Sequence, residues 1–372
     1  MTVFFDNQAF YIQEYGGLSR YFAELIAGLH DETDIQPLLS NGWTNNQHLR
    51  NANLTDRSFF AGRSFRGKIR LMHRMNRWHD AWQLRQQSYD LFHATYYDTY
   101  FLAHLPKQTP LVVTFLDMIH EKFSSRFPEL AQDKMVIEGK RLLARRANRL
   151  IAISESTKRD VVELLDVDPA KIDVVHLGSS FSRPINCLPT NSPVSKVRPY
   201  LLYVGMRAGY KNWAGLVEAI HPLLKQEQIQ LVCVGSGPFN YEEQTLLRAL
   251  DAEKWVVQQE ATDQKLGQLY QHAVAFFFPS LYEGFGIPVL EAFACGCPCL
   301  LSNSSSLPEV AGDAALYFDP DDADSIRTAL QTVISDQALR ARLIQQGQQR
   351  ATLFTWSAMQ RKTADIYRKC VS

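Results

Sequence analysis

The chain has 372 residues, 46% hydrophobic and 21% charged, with 39 Lys and Arg matched by 39 Asp and Glu. That length exceeds the roughly 250–300 residues that one core sustains, so two domains are expected, and the zero formal charge argues against a nucleic-acid partner. No apolar run approaches the ~18 residues of a spanning helix.

The start, Met1-Thr-Val-Phe-Phe-Asp6, lacks the basic region of a signal peptide and reads as a strand over Thr2 to Asn7. The cytoplasm is then the simplest compartment. A polar segment follows, then Tyr15-Gly16-Gly17-Leu18-Ser19-Arg20 and a helix through Leu29, whose apolar residues at 22, 25, 26 and 29 keep helical spacing.

Residues 57–86 differ from the rest. Eight Arg and Lys between Arg57 and Arg85 face one acid, Asp80, while Phe59, Phe60, Phe65, Trp78 and Trp82 interleave. Either a solvated helix packs its tryptophans into the core, or the stretch meets an anionic partner. That partner would be a membrane surface, giving peripheral contact with the inner face of a membrane, or an acceptor bearing a pyrophosphate.

Short β-branched runs then alternate with helices: Tyr89–Thr95, Leu111–Asp117, a helical stretch from Pro128 to Asn148, Arg149–Ser154 and Ile172–Gly178. This is the pattern of an α/β parallel sheet with crossover helices. Ligands collect at the carboxyl ends of such strands, which places Asp117 and His120 at the cleft; for His120 a loop residue without a role is the alternative. Prolines 184, 189, 193 and 199 mark an interdomain linker over 184–199.

Tyr200–Gly205 restarts the strand pattern, and Arg207 and Lys211 in the turn after it suit a diphosphate, Arg with a bidentate fork and Lys with a compact charge. Ile229–Pro238 lacks the third glycine of a dinucleotide fingerprint, which disfavours a dehydrogenase. Then comes Phe276-Phe-Phe-Pro-Ser-Leu-Tyr-Glu283-Gly-Phe-Gly-Ile-Pro-Val-Leu-Glu291. A buried strand ends at Pro279, a turn runs through Gly284, Phe285 and Gly286, and Pro288 opens a helix. The helix amino terminus can hold a phosphate, and the glycines leave bare backbone for it. Glu283 and Glu291, eight residues apart, return to one face at about 3.6 residues per turn. Two acids repel a phosphate, so sugar hydroxyls are their natural partners. Of the six cysteines, Cys295, Cys297 and Cys299 invite a metal reading, but Pro298 interrupts them and no histidine is near; buried thiols fit better, and no metal is expected.

The run from Glu283 through Ala292-Phe-Ala-Cys-Gly-Cys-Pro298, Ser302-Asn-Ser and Leu307-Pro-Glu-Val-Ala-Gly-Asp313 resembles the donor-site signature of the retaining glycosyltransferase family 4 enzymes. The resemblance implies the GT-B fold, two Rossmann-like domains facing each other across a cleft. They would be an acceptor domain over 1–183, joined by a helix in 353–372, and a donor domain over 200–352. It implies a metal-free transfer from a nucleotide-diphosphate sugar with retention, no cofactor, and a glycan or lipid-linked acceptor. Gly16 and Gly17 correspond to the loop facing the donor phosphates, and Arg207 and Lys211 to the family's cation pair. Glu283 would hold the donor sugar and Glu291 the ribose, with Asp117 or Glu283 as covalent nucleophile the less favoured route. The family histidine is Leu116 here, and either His120 replaces it in the sugar contact or His120 is a loop residue without a role. Relatives with these motifs often build bacterial surface polysaccharides, many as mannosyltransferases. An epimerase, a phosphorylase or a silent nucleotide-sugar-binding subunit on the same fold is the alternative.

Overall fold

The structure is a computed structural model that describes the chain apart from residues 33, 56, 180, 182–197, 208 and 372. The chain divides into two compact units, one of Met1–Gly178 with Trp356–Ser372 and the other of Ser179–Thr355. The 184–199 linker lies outside the described residues except for Arg198 and Pro199.

The first unit carries a six-stranded parallel sheet of β1 (Thr2–Phe5), β2 (Gln36–Leu39), β3 (Leu91–Ala94), β4 (Leu111–Phe115), β5 (Arg149–Ala152) and β6 (Ile172–Val174), in the order β2-β1-β3-β4-β5-β6. The second carries β7 (Tyr200–Val204), β8 (Gln230–Val234), β9 (Val256–Gln259), β10 (Ala275–Phe278), β11 (Cys299–Ser302) and β12 (Ala315–Phe318), in the order β12-β11-β10-β7-β8-β9, again all parallel. Strands covered on both faces cannot alternate polar and apolar residues, which is why β10 is a continuous apolar run and β4 has Thr114 as its one polar residue, both wholly buried.

The first long helix, Gly17–Glu32, buries Phe22, Leu25, Ile26 and Leu29, the spacing read from the sequence. The segment before it is not merely polar: Gln8–Ile12 forms a short helix. The stretch read as one helix from Pro128 to Asn148 is two, Pro128–Ala131 and Lys134–Arg146, because the Asp133 side chain accepts from the Val136 amide and starts a new one.

The last helix, Trp356–Val371, packs on Gly17–Glu32 in the first unit, where Gln360 donates to the Glu24 carbonyl at 2.8 Å. Inside that unit Tyr367 Oη lies 2.5 Å from His93 Nδ1, and Thr114 Oγ1 lies 2.9 Å from His93 Nε2 and 3.1 Å from Tyr21 Oη. Burial holds His93 down at a pKa of about 3, so this chain of contacts runs through a neutral imidazole.

Helix Lys68–Gln86 turns Met72, Asn76, His79, Asp80 and Leu84 inward. Trp78 and Trp82 do not pack into the core: they are 72% and 50% exposed, on the side of the helix away from that buried stripe.

Candidate active site

The glycine turn of the second unit follows β10 directly. Leu281 N–H donates to the Tyr210 carbonyl at 2.8 Å, tying the turn to the loop after β7. Glu283 is gripped at its backbone: its N–H donates to Ser305 Oγ at 2.8 Å and its carbonyl accepts from Ser306 Oγ at 2.9 Å, which also lies 3.1 Å from the Phe285 carbonyl. Gly286 ends the turn at φ +100°, where a Cβ would lie 2.8 Å from Leu307 Cδ2, so both conformation and space select glycine. Helix Ile287–Ala294 starts there, with Pro288 in its first turn. Phe285 and Gly286 therefore stand at the positive end of the helix dipole.

The two cations after β7 have different surroundings. Lys211 Nζ lies 2.7 Å from Glu283 Oε1, with the side chains 15% and 11% exposed, and sits near the rings of Tyr210 and Phe278. Arg207 is buried, and its fork engages Glu243 at 2.9 and 3.2 Å and the carbonyls of Gly235, Gly237 and Pro238 at 2.6–3.1 Å, with the Phe239 ring against it. The guanidinium thus clamps the turn that ends β8.

Glu283 and Glu291 are not related by helical periodicity, because the helix begins only at Ile287 and Glu283 sits in the turn before it. Glu291 is buried and accepts from Tyr270 Oη at 3.4 Å. Burial, then the Glu291 charge, pushes that phenol well above the ordinary tyrosine range. Cys297 and Cys299 are buried thiols raised by desolvation.

In the first unit Gly16 lies in the bend before helix Gly17–Glu32, its carbonyl accepting from the Arg20 amide at 3.0 Å. Asp117 and His120 follow the carboxyl end of β4. Buried Lys140 reaches the Asp117 carbonyl at 2.9 Å, the Asp117 carboxylate at 3.4 Å and Glu121 at 3.1 Å. Burial alone would raise Asp117, but Lys140, then His120 and the Ile119 amide, outweigh it and hold the carboxyl below its usual range. His120 Nε2 is 4.0 Å from Asp133, and its buried Nδ1 has no hydrogen-bond partner among the described residues.

Sequence reasoning did not single out Lys140, Ser305 or Ser306, nor a buried acid network beyond β1. Asp6 accepts from Thr95 and from Gln8, at 2.6 Å; Asp80 accepts from Ser40, from Tyr100 at 2.5 Å and from the Asn7 amide at 3.5 Å. Burial, reinforced by the Asp80 charge, raises Asp6 to about 7, and burial raises Asp80 to about 6. The local signals were an acid closing the apolar run Val3-Phe4-Phe5 and, for Asp80, a lone acid in a basic stretch. A hollow of about 670 Å³ is bounded by Glu14, Asn45, Arg63, Phe65, Arg66 and Arg70.

Two parallel six-stranded Rossmann-like sheets are the architecture of the GT-B fold, and a glycine turn, a helix amino terminus and a Lys–Glu pair stand at the carboxyl end of one of them. The sequence models of Glycosyltransferase Family 4 and Glycosyl transferases group 1 match residues 15–183 and 189–350, and the chain belongs to this family. Among curated proteins it is 28% identical over 304 residues to the O-antigen chain mannosyltransferase B of Escherichia coli, covering 77% of this chain and 76% of the relative. In fold it matches sucrose-phosphate synthase from Thermosynechococcus elongatus with a TM-score of 0.77 at 20% identity, over 99% of this chain and 98% of the other. Anabaena HepE in complex with UDP-glucose matches with a TM-score of 0.73 at 16% identity, over 99% of each chain.

Proposed function

We propose that this glycosyltransferase moves a hexose, mannose by preference, with retention from a nucleotide-diphosphate sugar to a glycan or lipid-linked acceptor in cell-surface polysaccharide synthesis. The Lys211–Glu283 pair at the glycine turn carries the reading, since it sets a cation for phosphate and an acceptor for sugar hydroxyls side by side. The mannosyltransferase relative supports the sugar and the pathway class, and the UDP-glucose bound to the HepE neighbour supports a nucleotide-sugar donor. A GDP-sugar is the donor we favour.

Lys211 engages one carboxylate oxygen of Glu283, so the other is directed at donor-sugar hydroxyls. When a diphosphate arrives, Lys211 and the amides at Phe285 and Gly286 stabilise the charge that grows on it as the glycosyl bond breaks, a task that needs no metal. The acceptor oxygen bonds to the anomeric carbon on the face the diphosphate leaves, and the departing phosphate oxygen takes the acceptor's proton. Glu291 receives the ribose. Arg207, clamped by Glu243, shapes the turn that ends β8 and through it the donor pocket. Acceptor recognition belongs to the first unit, with Asp117 and His120 beyond the carboxyl end of β4.

The test is a panel of GDP-, UDP- and ADP-sugars incubated with the enzyme in EDTA, followed by nuclear magnetic resonance of the released sugar. Hydrolysis of GDP-mannose to the α-anomer in EDTA is expected. A β-anomer would overturn retention, preference for another donor would overturn the sugar and base, and activity restored only by a divalent ion would overturn the metal-free mechanism.

A further inference from the structure

Among the described residues no helix is long and apolar enough to cross a membrane, and the site described above makes no use of helix Lys68–Gln86. Its outward side is unlike a solvated helix face. At about 100° per residue, Leu71, Trp78 and Trp82 fall on one stripe about 40° wide, and Arg70, Arg74 and Arg85 on a second about 60° wide beside it. Leu71, Trp78 and Trp82 are all exposed, as are Phe60 and Phe65 in the segment before the helix. The three arginines are exposed as well.

The acid of this segment takes no part. Asp80 is turned into the core on Ser40 and Tyr100, so the outward face carries cations without a counter-charge of its own. Arg70 and Arg74 make no ion pair among the described residues, whereas Arg77 reaches Asp98 at 3.5 Å.

Tryptophans beside arginines, on an amphipathic helix that cannot span, are the composition that lies in the headgroup layer of a bilayer. A protein partner or a solvated helix would not need both the unscreened positive charge and bulky aromatics held in water. We propose that helix Lys68–Gln86 docks the enzyme on an anionic lipid surface, Trp78, Trp82 and Leu71 entering the interface and Arg70, Arg74 and Arg85 meeting lipid phosphates. This goes beyond the transfer reaction and does not depend on which sugar is moved.

The experiment is sedimentation of the full chain with vesicles of phosphatidylcholine alone and of phosphatidylcholine mixed equally with phosphatidylglycerol, with tryptophan emission recorded in parallel. The wild type should pellet with the anionic vesicles only, with a blue-shifted emission, and should be released by salt. Each arginine is worth roughly a fivefold change in partitioning, so Arg70→Ser/Arg74→Ser should bind roughly twenty-five-fold more weakly. Trp78→Ser/Trp82→Ser should lose most of the binding and the blue shift. All these side chains are exposed, so thermal midpoints should match the wild type and show that the variants fold.

Equal binding to neutral vesicles, no binding to either, or wild-type binding by the arginine variant would overturn the proposal. So would release from anionic vesicles by pyrophosphate at constant ionic strength, which would mark a soluble phosphate-bearing ligand as the true occupant.

Discussion

Replacing Glu283 with Gln separates the two tasks given to the Lys211–Glu283 pair. The amide keeps the shape and loses the charge, while Ser305 and Ser306 still grip the backbone of residue 283, so the turn keeps its course. The pair is 2.7 Å long and mostly buried, and a charged hydrogen bond of this kind contributes roughly 1.5–3 kcal/mol. For a domain of this size that lowers the melting temperature by about 2–4 °C per kcal/mol. Turnover should fall much further. The variant loses a charged group next to a sugar that becomes positive in the transition state, and comparable single-group losses cost about 10²–10³ in kcat, roughly 3–4 kcal/mol. Affinity for the nucleoside diphosphate should move the other way, since Lys211 is released to the phosphate; a gain of up to about tenfold corresponds to ~1.4 kcal/mol. The assay is donor turnover alongside calorimetric titration of the diphosphate, and of melting temperature. Unchanged kcat would remove Glu283 from the reaction, and a loss of diphosphate affinity as large as the loss of kcat would show that the residue only shapes the pocket.

Gly286→Ala should cost on the order of 1–3 kcal/mol, from its positive φ and the approach of Leu307, and should raise KM for the donor; a wild-type melting temperature and KM would refute this. Tyr367→Phe leaves buried His93 without its 2.5 Å partner and should destabilise the first unit by about 1–3 kcal/mol in denaturant titration, with diphosphate binding unchanged. Asp6 and Asp80 have folded pKa values raised to about 7 and about 6 from 3.8, so the native state holds protons that the unfolded chain has released. Their stabilising contribution is therefore complete below about pH 4 and is lost as pH rises through 6 to 7. Melting curves of wild type and Asp6→Asn across pH 5 to 8 should converge or cross, the wild type losing ground as pH rises, whereas parallel curves would show that the network does not titrate there. Lys140→Met, which leaves Asp117 and Glu121 without their shared cation, should raise the Asp117 pKa by removing its main lowering charge, a shift readable by carbon-detected titration of the aspartate carboxyls.

Much of the candidate site was legible because its parts are local. Phe276 to Phe278, then Gly284, Phe285 and Gly286, then Pro288 read as strand, turn and helix, and that is what they form. The same reasoning erred where it extended a local rule too far. The eight-residue spacing of Glu283 and Glu291 implied a shared helical face, yet half of that interval is turn. A single helix was read over 128–148 although Asp133 restarts it.

Sequence by itself determined the alternation of strands and crossover helices and the position of the glycine turn. A strand buried on both faces must be written as an unbroken apolar run, and glycine, proline and cap residues act over only a few positions. Tertiary structure alone decided the partners of the charged groups. Arg207 went to Glu243, 36 residues away, and Lys211 to Glu283, 72 residues away. Lys140 went to Asp117 and Glu121, and Asp80 turned inward while Trp78 and Trp82 turned out. A charge carries no mark of its partner along the chain. Which strand ends become neighbours follows from the sheet order, and only there does burial choose which charge is paired inside and which is left to meet another surface.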